Sequence, residues 1–253
     1  IVKVDLSSST NKVVDDGYGN AETSVTGIEN IGGTLLYNDT LTGDNNANKI
    51  YGYGGNDSLY GLGGVDTIFG DTGNDNIYTG TGIGDVALGE GGTDTLYGSF
   101  DSDFLIGGIV TAALTEDKDL DWINLTSTTA GVILDLGTTV TAGTGIYSGL
   151  YSKALIVDAT PLVNTDNTEF DYIRQIEHII GSTGDDTFTG NTLQNSILAG
   201  AGDDIIYYTR GNDYYDGGNH TTIAGTQGST AAAVGGGDWI SLAKETTTTV
   251  DFR

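Results

Sequence analysis

The sequence predicts an all-β fold in which very short strands stack along one axis into a solenoid carrying loop insertions. Three observations predict it. An acidic residue recurs every nine positions at Asp39, Asp57, Asp66 and Asp75, with Asn48 at the missing step, and again at Asp85, Asp94 and Asp103 after a one-residue insertion. Two residues after each marker stands an apolar side chain: Leu41, Ile50, Leu59, Ile68, Ile77, Ala87, Leu96 and Leu105. Two residues before several markers stands a glycine: Gly55, Gly64, Gly73 and Gly92.

A period of nine is not helical, and glycine at this density opposes a helix. A strand of about three residues closed by a glycine turn fits the pattern. Each strand then contributes one inward apolar residue, and stacking the strands builds a narrow core. A second array repeats the pattern, with markers Asp186, Asn195, Asp204 and Asp213, glycines Gly184 and Gly202, and apolar residues Phe188, Ile197, Ile206 and Tyr215. Between Lys49 and Lys118 the chain has no Lys or Arg, so nothing basic in sequence neutralises the first ladder of acids.

The stretches GYGGNDSLY, GLGGVDTIF, GDTGNDNIY and GEGGTDTLY, and more weakly GSTGDDTFT and AGAGDDIIY, resemble the RTX nonapeptide family, whose consensus is G-G-x-G-x-D-x-U-x with U a large apolar residue. The resemblance covers about residues 36–108 and 178–218. It implies a right-handed parallel β-roll with two nonapeptides per turn, so that residues eighteen apart stack. It also implies several Ca²⁺ ions in the loops between turns, held by the Asp carboxylates and the glycine-loop carbonyls. A hard cation that takes six to eight oxygens suits that donor set. The stacked pairs would be Asp39 with Asp57, Asp57 with Asp75, Asp85 with Asp103, and Asp186 with Asp204. Asp66 would meet Asp85 if the insertion is absorbed. The second consensus glycine is often absent, Asn48 and Asn195 replace Asp, and GTGIGDVAL is out of frame. Such turns are expected to bind calcium weakly or not at all. The alternative is that the acids merely cap turns, as Asp often does.

A longer repeat encloses the short one. Val4-Asp5-Leu6 matches Leu134-Asp135-Leu136 and Val250-Asp251-Phe252; SVTGIENI around Ile28 matches YIRQIEHI around Ile176; LDWINL from Leu120 matches GDWISL from Gly237. The chain therefore divides into modules 1–130 and 131–253, each holding one array. Both termini fall at the same point of the module, so the chain reads as two periods of a longer protein in which the solenoid continues. The segments Ser7–Gly27, Gly137–Gln175, Gly108–Leu120 and Asn219–Gly237 differ between modules and are expected to project from the solenoid, either as specificity elements or as tolerated surface loops.

Composition narrows the partners. The 253 residues carry a formal charge of −26, with 41 Gly, one Pro and neither Cys nor Met. Nucleic acid and anionic membranes are unfavourable partners for such a polyanion, and cations are favourable ones. No apolar run reaches the ~20 residues of a membrane span. Zero Cys excludes a disulfide scaffold. No G-x-S-x-G or H-E-x-x-H occurs. His178 reads as a strand residue, His220 is isolated, and GTGIYSG at Gly143 reads as a turn. Asp117, Asp119 and Asp121 share one face, either as an extra calcium site or as a solvated acidic edge.

The expected function is a calcium-dependent, non-enzymatic structural module of a secreted bacterial cell-surface protein of surface-layer or adhesin type, exported unfolded through a type I channel. A secretion region attached to an enzyme or toxin, and a carbohydrate-binding module, are the competing readings. One step beyond the apolar file lies a second one, Tyr51, Tyr60, Phe69, Tyr78, Leu88, Tyr97 and Ile106. Alternation places it outward. It either stiffens the sheets or forms a contact surface covered by another copy, by a loop of the chain itself or by sugar.

Overall fold

The computed structural model describes residues 1–8, 13–19, 26–98, 102–109, 119–126, 129, 131–142, 149–157, 170–218 and 239–241. The stretch 110–118, the insertion 219–238, Gly143–Tyr147, Asp117, His220 and Val250-Asp251-Phe252 lie outside the described residues. Among the described residues every regular element is a strand. No helix there is long and apolar enough to cross a membrane.

Two sheets form the solenoid. The ten-stranded sheet contains β1 (Lys3–Asp5), β2 (Val13–Asp15), β4 (Thr40–Thr42), β6 (Ser58–Tyr60), β8 (Asn76–Tyr78), β10 (Thr95–Tyr97), β12 (Trp122–Asn124), β17 (His178–Ile180), β19 (Ser196–Leu198) and β21 (Tyr214–Asp216). The twelve-stranded sheet contains β3 (Asn30–Gly32), β5 (Lys49–Gly54), β7 (Thr67–Thr72), β9 (Val86–Gly91), β11 (Phe104–Gly108), β13 (Gly131–Asp135), β15 (Gly149–Val157), β16 (Phe170–Arg174), β18 (Thr187–Thr189), β20 (Ile205–Tyr207) and β22 (Trp239–Ser241), with β3 and β22 at its edges; β14 (Val140–Ala142) pairs with β15 off this path. Within each array successive strands alternate between sheets, and each pairs in parallel with the strand two steps away. Registers of 18 residues, such as Leu41 to Leu59 to Ile77, and of 19 across the insertion, as from Ile68 to Ala87, match the nonapeptide ruler. The parallel β-roll expected from the sequence is therefore present.

The core follows from the alternation of side chains. Leu41, Leu59, Ile77, Leu96, Ile123, Ile179 and Ile197 from one sheet meet Ile50, Ile68, Ala87, Leu105, Ile173, Phe188 and Ile206 from the other in one buried cluster. Each large aliphatic contributes roughly 1.5–3 kcal/mol of burial. One such residue per three-residue strand leaves a thin core for the length of chain it orders.

Both arrays lie in the same two sheets, joined through β12 and β17 in one and through β11, β16, β15, β13 and β18 in the other. The second module's variable segment does not simply project. It supplies β15, which runs antiparallel between β13 and β16. Tyr151 of that strand is fully buried with Leu88 and Ile106, against Phe69, Val86, Phe104, Ala142 and Tyr172. This part of the twelve-stranded sheet's outer face is thus covered by the chain itself.

Candidate calcium-binding turns

Each turn places its marker acid directly before a strand whose apolar residue, two positions on, is locked in the core. That anchoring turns the carboxylate inward. Asp39, Asp57, Asp66, Asp75, Asp85, Asp94, Asp103, Asp186 and Asp204 are all at most 2 % exposed, whereas Asp213 is half-buried.

The acids form two ladders, one along each flank. The backbone N–H of Asp39 donates to Oδ1 of Asp57 at 2.7 Å, and that of Asp57 to Oδ1 of Asp75 at 2.7 Å. The same flank continues from Asp75 to Asp94 and from Asp94 to Asp121, both at 2.8 Å, and ends with the Asp121 N–H on Oε2 of Glu177 at 3.2 Å. On the opposite flank Asn48 donates to Asp66, Asp66 to Asp85, Asp85 to Asp103 and Asp103 to Asp171. The second array adds Asp186 to Asp204 and Asn195 to Asp213. All the stacked pairs expected from the sequence are present. The insertion is absorbed at Gly84 (φ 90°), so Asp66 does reach Asp85.

Two ladder members, Asp171 and Glu177, were not among the expected site residues, and a third, Asp121, was read either as an extra calcium site or as part of a solvated edge. Asp121 is completely buried, which rules out a solvated edge there, while Asp119 Oδ2 accepts the Gly92 N–H at 3.0 Å. Asp171 is off the nine-residue ruler, whereas Glu177 lies one nine-residue step before Asp186; each stands two residues before an inward apolar side chain, Ile173 and Ile179. His178 is the strand residue expected. It is buried and neutral, its pKa lowered by burial, and its Nδ1 accepts the Ser196 N–H at 2.9 Å.

The leading residue of most turns, five before the marker, is tightly enclosed. A Cβ on Gly52 would lie 2.5 Å from Asp57 Oδ2 and 2.7 Å from the Gly70 carbonyl. Gly61 and Gly70 are hemmed in the same way by Asp66 and Asp75 and by the next rung's carbonyl. Only a bare α-carbon lets a carboxylate and a carbonyl of the adjacent rung converge so closely.

Burial shapes the electrostatics. The carboxyls of Asp57, Asp66 and Asp75 are each pushed up from 3.8 to about 6, chiefly by burial; the ladder N–H partly offsets this, and neighbouring carboxylates add to it. The second oxygen of each, Oδ2, is buried and has no hydrogen-bond partner. A buried anionic oxygen without a partner is costly and calls for a cation. Among the described residues no three His, Cys, Asp or Glu side chains converge on one point, so an ion here draws on one or two carboxylates and on backbone carbonyls. That all-oxygen donor set fits Ca²⁺ and does not fit zinc.

The glycines two before the markers divide. Gly55, Gly64, Gly73, Gly92 and Gly202 are left-handed, with φ between 113° and 141°. Gly184 is not, and its N–H is bonded to Ser182 Oγ at 3.0 Å.

Comparison with known proteins agrees with this geometry. The RTX calcium-binding nonapeptide repeat matches the chain in four copies, at residues 35–68, 54–86, 79–109 and 180–215. A search of curated proteins finds no match.

Proposed function

The chain carries four copies of the RTX calcium-binding nonapeptide repeat, and from that premise we propose that it is a structural module of a secreted bacterial surface protein, folding when it meets extracellular calcium. The observation that carries this reading is the buried file of acids with unpartnered Oδ2 atoms at Asp57, Asp66 and Asp75. Calcium supplies the neutralising charge and ties adjacent turns together. The chain's own residues do the rest. The ladder N–H groups orient each carboxylate, the bare glycines admit the adjacent carbonyl, and the thin core leaves folding dependent on the metal. If each site binds tenfold tighter than the ambient calcium concentration, each adds about 1.4 kcal/mol, and a handful of sites approaches the stability of a whole domain.

Calcium-dependent folding suits export, because a chain unfolded where calcium is scarce can pass a narrow channel and fold outside. The tandem modules sharing both sheets favour a surface-layer or adhesin scaffold over a secretion region attached to an enzyme. Tyr60, Tyr78 and Tyr97 stack face to face with centroids 4.6 and 4.0 Å apart, so they turn edges rather than open ring faces outward. That geometry weighs against sugar docking on the rings and leaves contact with further copies as the role for this face. Far-ultraviolet circular dichroism tests the reading. A largely disordered chain in chelator should gain β-structure with millimolar calcium and far less with magnesium. Full β-structure in chelator would sink it.

A further inference from the structure

We infer that calcium enters only a subset of the turns, and that the backbone of the residue after the turn's leading position, a glycine in most turns, decides which. The inference rests on the calcium-dependent reading above and assigns its sites. Two kinds of turn are distinguished, and the turn before Asp213 belongs to neither, since the Thr209 N–H donates to the Tyr215 hydroxyl at 3.3 Å and the Thr209 hydroxyl to Asp213 Oδ2 at 3.4 Å. In the first, that residue has ordinary negative φ and its N–H donates to the marker itself: Thr34 to Asp39 Oδ2, Asp44 to Asn48 Oδ1, Ser182 to Asp186 Oδ2 and Asn191 to Asn195 Oδ1, at 2.5–2.9 Å. The Ser182 hydroxyl adds a bond to Asp186 Oδ1 at 2.7 Å. These turns are closed by their own backbone.

In the second kind the same residue is left-handed: Tyr53 (φ 71°), Leu62 (75°), Asp71 (71°), Gly80 (96°), Glu90 (73°) and Gly200 (110°). Tyr53, Leu62 and Asp71 precede Asp57, Asp66 and Asp75, the acids whose buried Oδ2 has no partner. An L-residue in this conformation costs roughly 1–2 kcal/mol. The turn accepts that strain and forgoes an N–H bond to a buried carboxylate, a combination that is stable only when something else takes the oxygen.

Marker chemistry agrees. Both Asn markers fall in closed turns, and there both ends of the amide are engaged: Oδ1 accepts the turn's own N–H, while Asn48 Nδ2 donates to the Glu29 carbonyl at 3.1 Å and Asn195 Nδ2 to the Glu177 carbonyl at 2.8 Å. A turn that works with a neutral amide does not need a cation. The closed turns are also not scattered. They are the first two of each array, at residues 33–39 and 43–48 and at 181–186 and 190–195, and the left-handed turns follow them. Asp39 and Asp186, expected from the nonapeptide pattern to bind calcium, are thereby assigned a structural role, and each array begins with two metal-free turns.

The test counts ions on the full chain at saturating calcium, by equilibrium dialysis and atomic absorption, with circular dichroism verifying that each variant is folded. Asp66→Asn should lose at least one ion relative to the unaltered chain, while Asp39→Asn and Asp186→Asn should lose none. Loss of an ion from either of the latter, or none from Asp66→Asn, overturns the inference while calcium-dependent folding stands. An unaltered chain that binds no calcium refutes both. Should Asp66→Asn fail to fold, a crystal structure of the unaltered chain in calcium decides directly. Ion density in the turns before Asp57, Asp66 and Asp75 and none in the four closed turns is the expected result, and an ion in a closed turn overturns it.

Discussion

Stripped of calcium, the folded chain should gain stability as the pH falls from 7.5 to 5. The folded-state pKa of Asp57, Asp66 and Asp75 is about 6, against 3.8 for an unperturbed carboxyl. A raised pKa means that the folded state binds the proton more tightly than the unfolded one. These groups therefore favour folding fully below about 3.8, and that contribution is lost as the pH rises through 6. Two pKa units correspond to about 3 kcal/mol per group. Solvent screening at the rim of each turn and coupling between neighbouring carboxyls cut this to about 1–2 kcal/mol each, or ~5 kcal/mol for the three. That is the scale of a small domain's entire stability. The assay is a urea titration followed by far-ultraviolet circular dichroism at pH 5, 6 and 7.5, on protein stripped with a chelating resin and held folded at zero urea by a fixed concentration of a stabilising osmolyte. The midpoint should be highest at pH 5, with most of the loss between pH 5 and 7. In saturating calcium the order should reverse, because an ion displaces the proton and its affinity falls on acidification. A metal-free midpoint that is flat or rises with pH would show that these acids are not buried as described.

Two further substitutions probe geometry. Gly52→Ala should destabilise the calcium-loaded fold by about 3 kcal/mol or more, because the new methyl meets Asp57 Oδ2 and a sheet carbonyl that cannot retreat; Gly91→Ala, whose Cβ meets nothing nearer than 3.5 Å, should change it by less than about 0.5 kcal/mol. Equal urea midpoints for the two variants would refute the close approach. Replacing Tyr60, Tyr78 and Tyr97 together by Thr should cost ~1–2 kcal/mol from two lost stacked contacts, and should reduce self-association in calcium by analytical ultracentrifugation. If stability falls and association is unchanged, the stack only stiffens the sheet.

The repeat made the rolled part legible because everything there is local. A marker, a glycine and an apolar residue at fixed offsets determine strand, turn and register, so Asp57 over Asp75 and Leu59 over Ile77 could be read before any coordinates. Legibility ended where spacing broke. Asp121 and Asp171 carry the same acid-x-apolar signature as the array, ahead of Ile123 and Ile173, but insertions separate them from their stacking partners Asp94 and Asp103; Glu177, ahead of Ile179, lies one nine-residue step before Asp186 and was legible from the second array, while its stacking on Asp121 across 56 residues was not. The leading glycines Gly43, Gly52, Gly61, Gly70 and Gly89 recur as regularly as the acids. Their significance lies in a contact with the next rung, which no single nonapeptide reveals. The antiparallel β15 was not legible, because its neighbours β13 and β16 are set by non-local pairing. The division into closed and open turns was visible in part. A left-handed glycine precedes Asp57, Asp66, Asp75, Asp94 and Asp204, and only the Ser182 hydroxyl and N–H explain why Gly184 departs from that rule.

The long repeat has a geometric consequence that the two modules together expose. Val4 lies in the ten-stranded sheet and its counterpart Leu134 in the twelve-stranded one; Ile31 and Ile179 are exchanged in the opposite sense, and β12 and β22, the two Asp-Trp-Ile strands, also lie in different sheets. Even the antiparallel additions follow, since β2 flanks β1 in one sheet and β15 flanks β13 in the other. The cause is parity. Each strand of the roll advances the chain by half a turn, and the path from β1 to β13 takes an odd number of such steps, so the second module starts on the opposite face. Equivalent residues of neighbouring modules therefore face opposite ways across a core only one side chain deep per sheet. A contact encoded once in the module sequence would be presented on both faces of the rod by successive modules. For a scaffold that associates sideways, that makes the rod two-sided without a second binding motif.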